Sequence, residues 1–341
     1  MDQKDHKTSY DALLLVSFGG PEGMDDVMPF LENVLRGKNV PAARMEAVAQ
    51  HYEHFGGVSP INEQNRKLIA ALKPIIQDSD LKLPIYWGNR NWHPLLTDTV
   101  RQMAHDGIKR ALAFVTSAYS SYSSCRQYQE NIRQAQAAVG ATAPQIDKIR
   151  SFYNHPGFIE PNAENLLQAL ESIPMERRQA AQIAFSAHSI PLSMASGCEY
   201  ANQLLETSHL VAELVGCSNR SQLVYQSRSG SRTQPWLEPN ILDHITELKE
   251  KAISDLIIAP IGFISDHMEV LYDLDTEAKE LCDALGINLV RAATVGTHPR
   301  FIKMIKELVE ERIDNSQNRL ALGYLGPSHD LCPPDCCLVT S

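Results

Sequence analysis

Residues 255–280 read DLIIAPIGFISDHMEVLYDLDTEAKE. The run 255–263 is almost wholly apolar, which predicts a buried strand. A small-residue turn follows, and 267–285, HMEVLYDLDTEAKELCDAL, has the spacing of an amphipathic helix. Glu269, Asp273 and Glu277 stand at i, i+4 and i+8, so a helix puts all three on one face. At about 1.5 Å of rise per residue they would form an acidic column roughly 12 Å long. Acids near a helix N-terminus also arise for a plainer reason, a solvated face favoured by the macrodipole. Strand, polar turn and helix make half of a βαβ unit, so the next question is whether the unit repeats.

It does. DALLLVS (11–17) ends in Phe18-Gly19-Gly20-Pro21, and LPIYWG (83–88) ends in Asn89-Arg90-Asn91-Trp92-His93-Pro94. RALAFVTSA (110–118) runs into a hydroxyl-rich turn, 119–125, and QIDKIRSFY (145–153) reads as a fourth strand. Helical stretches separate them. In the second half AQIAFSA (181–187) ends in His188-Ser189-Ile190-Pro191, and QLVYQSR (222–228) leads into a turn through 230–239 that carries Trp236. Three strand-and-turn units therefore match in order. The expected fold is α/β: two similar Rossmann-like domains with parallel sheets flanked by helices, facing across a cleft. Ligands in such folds bind beyond the carboxyl ends of the strands, where all these turns lie. The expected boundaries are 10–165 for the first domain, joined by a returning helix at 300–318, 166–299 for the second, and a tail at 319–341. A hinge is expected near 155–180.

Composition narrows the function. The 341 residues are 43% hydrophobic and 21% charged, ordinary for a globular protein. A formal net charge of −10 argues against a nucleic-acid binder. No apolar run reaches the length of a membrane span, and the polar N-terminus lacks a secretory core. A cytoplasmic protein is expected, and its seven cysteines are then to be explained by metal binding or packing before disulfides.

His188 and Glu269 both follow buried strands of the second half. They offer one cleft an imidazole that titrates near neutrality and a carboxylate, either an acid/base pair or two ligands for a divalent metal. There is no Walker A sequence, nucleophile elbow or HExxH, and the turn after the first strand lacks GxGxxG spacing.

The strings SFGGPEG, HFGGVSPIN, GNRNWHP, TSAYSSYSSC, FSAHSIP, PWLEP and GFISDHMEVLYDLD, in this order along nearly the whole chain, resemble the ferrochelatases. FSAHSIP and GFISDHMEVLYDLD are the specific ones. The resemblance implies a porphyrin cleft between the two domains and insertion of Fe²⁺, the metal substrate, with release of two pyrrole protons. It implies that His188 and Glu269 are the catalytic pair and meet the iron, and that Asp273 and Glu277 continue toward solvent as a path for metal or protons. It implies porphyrin contacts from Phe18, Arg36, Ser59, Tyr122, Ser123 and Trp236, and handover partners in haem biosynthesis. Some bacterial members carry Tyr where this chain has Phe18, so an axial phenolate is not expected.

Only 25 residues separate Phe30 from Gly56, about half of them polar or charged, where protoporphyrin-using members carry a longer apolar lip. That favours coproporphyrin III. The alternatives are protoporphyrin IX, a cobalt or nickel chelatase of the same fold, and a haem-binding protein without catalysis.

Three of the seven cysteines, Cys332, Cys336 and Cys337, fall within six residues. Thiols so closely set point to zinc or an iron–sulfur cluster. The resemblance favours a 2Fe–2S cluster with one internal cysteine. Among Cys125, Cys198, Cys217 and Cys282 the choice falls on Cys125, which opens a helix where the dipole favours thiolate.

Overall fold

The structure, a computed structural model, describes residues 9–37, 41–229 and 233–338. Residues 230–232 of the turn before Trp236 lie outside this set.

Two four-stranded parallel sheets share one topology. The first holds β1 (Ala12–Ser17), β2 (Ile85–Asn89), β3 (Arg110–Val115) and β4 (Gln145–Lys148) in the order β2-β1-β3-β4. The second holds β5 (Gln182–His188), β6 (Ser221–Gln226), β7 (Asp255–Ala259) and β8 (Asn288–Arg291) in the order β6-β5-β7-β8. The repeat seen in the sequence is thus a repeat of strand order. The sequence reading supplied no counterpart of β8, because four residues reading NLVR carry too little periodicity. The apolar run at 255–263 also breaks early: β7 stops at Ala259, and Pro260 begins a turn.

The helices of the first half are α1 (Met24–Leu35), α2 (Ala42–His54), α3 (Ile61–Gln77), α4 (Leu96–His105), α5 (Gln127–Val139) and α6 (Pro156–Glu171). Those of the second are α7 (Leu192–Ala195), α8 (Tyr200–Val215), α9 (Ile241–Glu250), α10 (Met268–Val270), α11 (Lys279–Leu285) and α12 (Pro299–Ile313). A π-helical turn, Tyr122–Arg126, precedes α5, and an eight-residue π-helix, Leu271–Ala278, joins α10 to α11.

β1 is buried on both faces, and its side chains divide with the period of a strand. Leu13 and Leu15 enter one core, while Ala12, Leu14 and Val16 enter another under α4 and α5. In the second sheet Ile183, Phe185 and Ala187 of β5 join the same core as Leu13 and Leu15, whereas Ala184 packs on the opposite side with β7 and α9 residues. One core therefore spans the inner faces of both sheets.

The segment expected to be a hinge lies in that core. α6 buries Phe158, Ile159, Ala163, Leu166, Ala169 and Leu170. It starts with Pro156 at its first turn and is capped by His155, whose Nδ1 accepts the Gly157 N–H at 3.0 Å. Gly157 lets α6 approach α12 closely, since a Cβ there would stand 2.6 Å from the Met304 Cβ. α12 packs on both α6 and α3.

Candidate active site

β5 delivers His188 at its last position. The ring Nδ1–H donates to the Ser189 carbonyl, which leaves Nε2 directed to Glu269, 3.6 Å from its Oε1. Behind it, the Tyr200 hydroxyl donates to the His188 carbonyl at 2.9 Å, and the Ser189 hydroxyl donates to the Leu237 carbonyl at 2.9 Å.

Glu269 is brought over β5 by the turn after β7. Gly262 makes this possible: its N–H bonds the Ser186 carbonyl at 3.0 Å, and a Cβ would stand 2.6 Å from the Ala187 Cα. His267 then caps the helix start, its Nδ1 accepting the Glu269 N–H at 3.2 Å, with its ring edge-on to Phe263. Asp266 is a clasp. Its carboxylate accepts from Arg291 at 3.1 Å on each oxygen and from Thr294 at 3.2 Å, while its N–H donates to Gln64 of α3 at 2.8 Å. Arg291 also donates to Asp275 at 2.6 Å, so one guanidinium ties the turn to the π-helix.

That π-helix corrects the expected acidic helix. After one α turn, the residues bearing Asp273 and Glu277 follow i→i+5 bonding, a form found mostly at functional sites. Asp273 faces inward, accepting from the Ser227 hydroxyl and from Gln226 Nε2 at 3.3 Å. The four acid/base groups differ sharply. Burial opposes the charge on His188, but the Glu269 carboxylate outweighs it and lifts the imidazole to about 9. Burial would raise Glu269 too, yet His188 brings it down to about 2. Asp273 is raised to about 7 by burial, helped by Glu269 and Glu277, against the Ser227 bond. Glu277 is raised by burial and by Glu280. A fixed ion pair thus adjoins a carboxyl poised to gain or lose a proton near neutrality.

α2 closes over this wall. His51 stacks on Tyr272 of the π-helix with ring centroids 3.6 Å apart, and Tyr52 packs edge-on to Phe30 at 5.8 Å. Burial and then the Glu269 charge hold the Tyr52 phenol protonated. Sequence reasoning missed both residues. Their only signal was two neighbouring aromatic residues in a helix otherwise made of small apolar and polar residues.

On the first-half wall Phe18 is 36% exposed, edge-on to Phe30 and covered by the Arg90 guanidinium at 5.5 Å. Arg90 also reaches the Ser123 carbonyl at 3.4 Å and Asn131 at 2.8 Å. Tyr122 donates to Glu130 at 3.1 Å, and Ser123 is exposed. Arg36 ends α1 and bonds Asn33. Ser59 is buried beneath Gly20, with its N–H on the Pro21 carbonyl at 2.9 Å. Trp236 is 8% exposed and bridged to Pro191, behind the His188 loop.

Four of the cysteines gather at a second place. Cys125, Cys332, Cys336 and Cys337 line one cavity with Arg126, Glu130 and Arg133. Arg126 draws the tail in, donating to the carbonyls of Pro334 at 2.8 Å and Cys336 at 2.9 Å. The Cys336 Sγ lies 3.6 Å from the Cys337 Sγ and 3.7 Å from the His329 Nε2. The Cys332 thiol bonds Cys125 and, with Lys148 nearby, holds it down as a thiolate, while Cys332 itself is pushed up. Cys217 and Cys282 are buried elsewhere, among apolar residues.

Two parallel sheets of like order, with acid/base groups beyond their strand ends, define a chelatase architecture. The fold is shared with SirB from Bacillus subtilis solved with Fe³⁺, at a TM-score of 0.55 and 13% identity, covering 92% of this chain and 99% of that one. A SirB complex with cobalt matches with a TM-score of 0.52 and 11% identity, over 92% and 99%. Within that architecture the sequence is specific: residues 10–313 match the ferrochelatase family. The chain is 58% identical to a ferrochelatase of Rhodopirellula baltica over 332 residues, covering 97% of this chain and 94% of that protein. It is 51% identical to the coproporphyrin III ferrochelatase of Streptomyces coelicolor, covering 96% and 93%. The chain belongs to the ferrochelatase family, porphyrin metal-chelating lyases that insert iron in haem biosynthesis. Among the described residues no helix is long and apolar enough to cross a membrane.

Proposed function

We propose that this chain inserts Fe²⁺ into coproporphyrin III, with His188 and Glu269 at the ring face. The observation that carries this reading is the 3.6 Å His188–Glu269 pair with Asp273 raised to about 7 beside it. A porphyrin must lose two pyrrole protons as the metal enters, so the site needs acceptors and a route outward. Glu269, the unprotonated partner of the ion pair, meets proton and metal at the ring face beside the His188 imidazolium; Asp273 takes each proton on in turn, and Glu277 passes it toward solvent. The choice of coproporphyrin III is supported by the short lip, where α2 buries only Ala49, and by the named activity of the Streptomyces coelicolor relative. Its extra carboxylates suit a wall offering Arg36, Arg90 and the hydroxyl turn.

The test is loss of porphyrin fluorescence on adding Fe²⁺ without oxygen. Faster metallation of coproporphyrin III than of protoporphyrin IX is expected; the reverse order would refute the substrate.

The second part of the proposal is a 2Fe–2S cluster on Cys125, Cys332, Cys336 and Cys337. Four thiols around one cavity, two of them 3.6 Å apart, fit the donor set of such a cluster. Bound there, it would supply one-electron redox chemistry and join the tail to the turn bearing Tyr122 and Ser123. Protein purified anaerobically should show visible absorbance with equal iron and sulfide; their absence would refute it. A cytoplasmic location, where free thiols persist, belongs to the same reading.

A further inference from the structure

β4 ends in a cation that metal insertion does not use. Lys148 is 9% exposed, and its ammonium donates to the Ile149 carbonyl at 3.1 Å. Among the described residues no carboxylate pairs with it. Two neighbouring cations, by contrast, are matched. Arg150 holds Glu311 through bonds of 2.6 and 3.0 Å, and Arg126 holds Glu130 at 3.1 Å and the two tail carbonyls. A buried ammonium without an anion is so costly that folded proteins supply one. What faces Lys148 is sulfur. It shares a small cavity wall with Cys125 and Ser124, and its charge acts on Cys125, Cys332 and Cys336.

A 2Fe–2S cluster on four thiolates is formally dianionic when oxidised and trianionic after taking one electron. An adjacent buried positive charge therefore stabilises the reduced form more than the oxidised one, and net charge is one of the levers that set cluster potentials. We propose that Lys148 is the built-in counter-charge of the cysteine site: it holds the anionic cluster in place and raises its reduction potential. This rests on the cluster reading given above.

Wild type, Lys148→Met and Lys148→Arg, purified anaerobically, would be titrated with dithionite as the one-electron donor and followed by visible absorbance. Lys148→Met should be at least tenfold harder to reduce, about 59 mV more negative for a one-electron couple. Lys148→Arg should stay near wild type. An unchanged potential in Lys148→Met would overturn the proposal while leaving the cluster reading intact. If Lys148→Met folds by circular dichroism but loses the cluster, retention in Lys148→Arg supports the counter-charge, and loss in both overturns it. If Lys148→Met does not fold, Lys148→Gln takes its place with the same expectations. A wild type without iron and sulfide would overturn the cluster reading and the counter-charge with it.

Discussion

Two places in this molecule gather groups that can bind metal, and they are built in opposite ways. At His188 and Glu269 the donors are oxygen and nitrogen, the side chains stay 32% and 51% exposed, and acids continue outward along the π-helix. At the cysteine site the donors are mainly sulfur, with the His329 imidazole beside them, and a buried ammonium adjoins Cys125. Hard, partly open donors release a metal as readily as they take it, whereas thiolates keep it. The first arrangement suits a metal in transit. The second suits a resident group.

Replacing His188 tests the contrast most severely. His188→Ala should lower metal insertion by at least ~100-fold through loss of acid/base chemistry, with porphyrin binding by fluorescence quenching retained. Full turnover in that variant would place the chemistry elsewhere.

Cys332→Ser should remove the resident group, read as loss of visible absorbance and of stoichiometric iron and sulfide. It should also lower the Tm, because metal binding and tail folding are linked. An intact spectrum would remove Cys332 from the ligand set.

Gly262→Ala forces a methyl onto Ala187 and should cost about 1–3 kcal/mol of stability, measured in urea, while weakening insertion by displacing Glu269. Stability loss with unchanged insertion would separate the turn from the site.

Asp273 supplies a pH test. Its folded-state pKa of about 7 lies above the ordinary 3.8, so the folded chain keeps a proton that the unfolded chain releases. The stability this group lends is full below about 3.8 and is lost as pH rises toward 7. Urea midpoints of wild type and Asp273→Asn should diverge across that window, in favour of the variant at the upper end. Parallel curves would rule out the raised carboxyl. The His188–Glu269 ion pair is unaffected there, since both partners stay charged from about 2 to about 9.

Arg291→Met should have the smallest effect, about 1–2 kcal/mol for charged hydrogen bonds that are partly solvated. It should reduce insertion without changing cluster content.

What the sequence disclosed follows from length and period. β1, β3, β5 and β7 are buried runs flanked by turns, so their order and the polar residues after them could be read directly. His188 and Glu269 could be placed beyond such runs, but only the resemblance to the ferrochelatases singled them out as a pair. The π-helix was not, because its sequence has the same apolar spacing as an α-helix and only the backbone bonds differ. α6 was legible as a helix bounded by prolines, but its place in the core was not, because its burial depends on partners more than a hundred residues away, such as Phe301. Lys148 ends a strand reading QIDK, which looks like a solvated edge, yet the folded chain leaves it 9% exposed.

The shared core has a mechanical consequence. Leu13, Phe158, Phe185 and Phe301 belong to one packed cluster, and the Tyr119 hydroxyl at the end of the first sheet donates to the Ile261 carbonyl of the second at 2.8 Å. That packing and that bond join the two halves as jaws cut from a single block. In a vice of that kind the more compliant part is the load, so a gripped porphyrin would bend as its nitrogens turn toward the incoming ion.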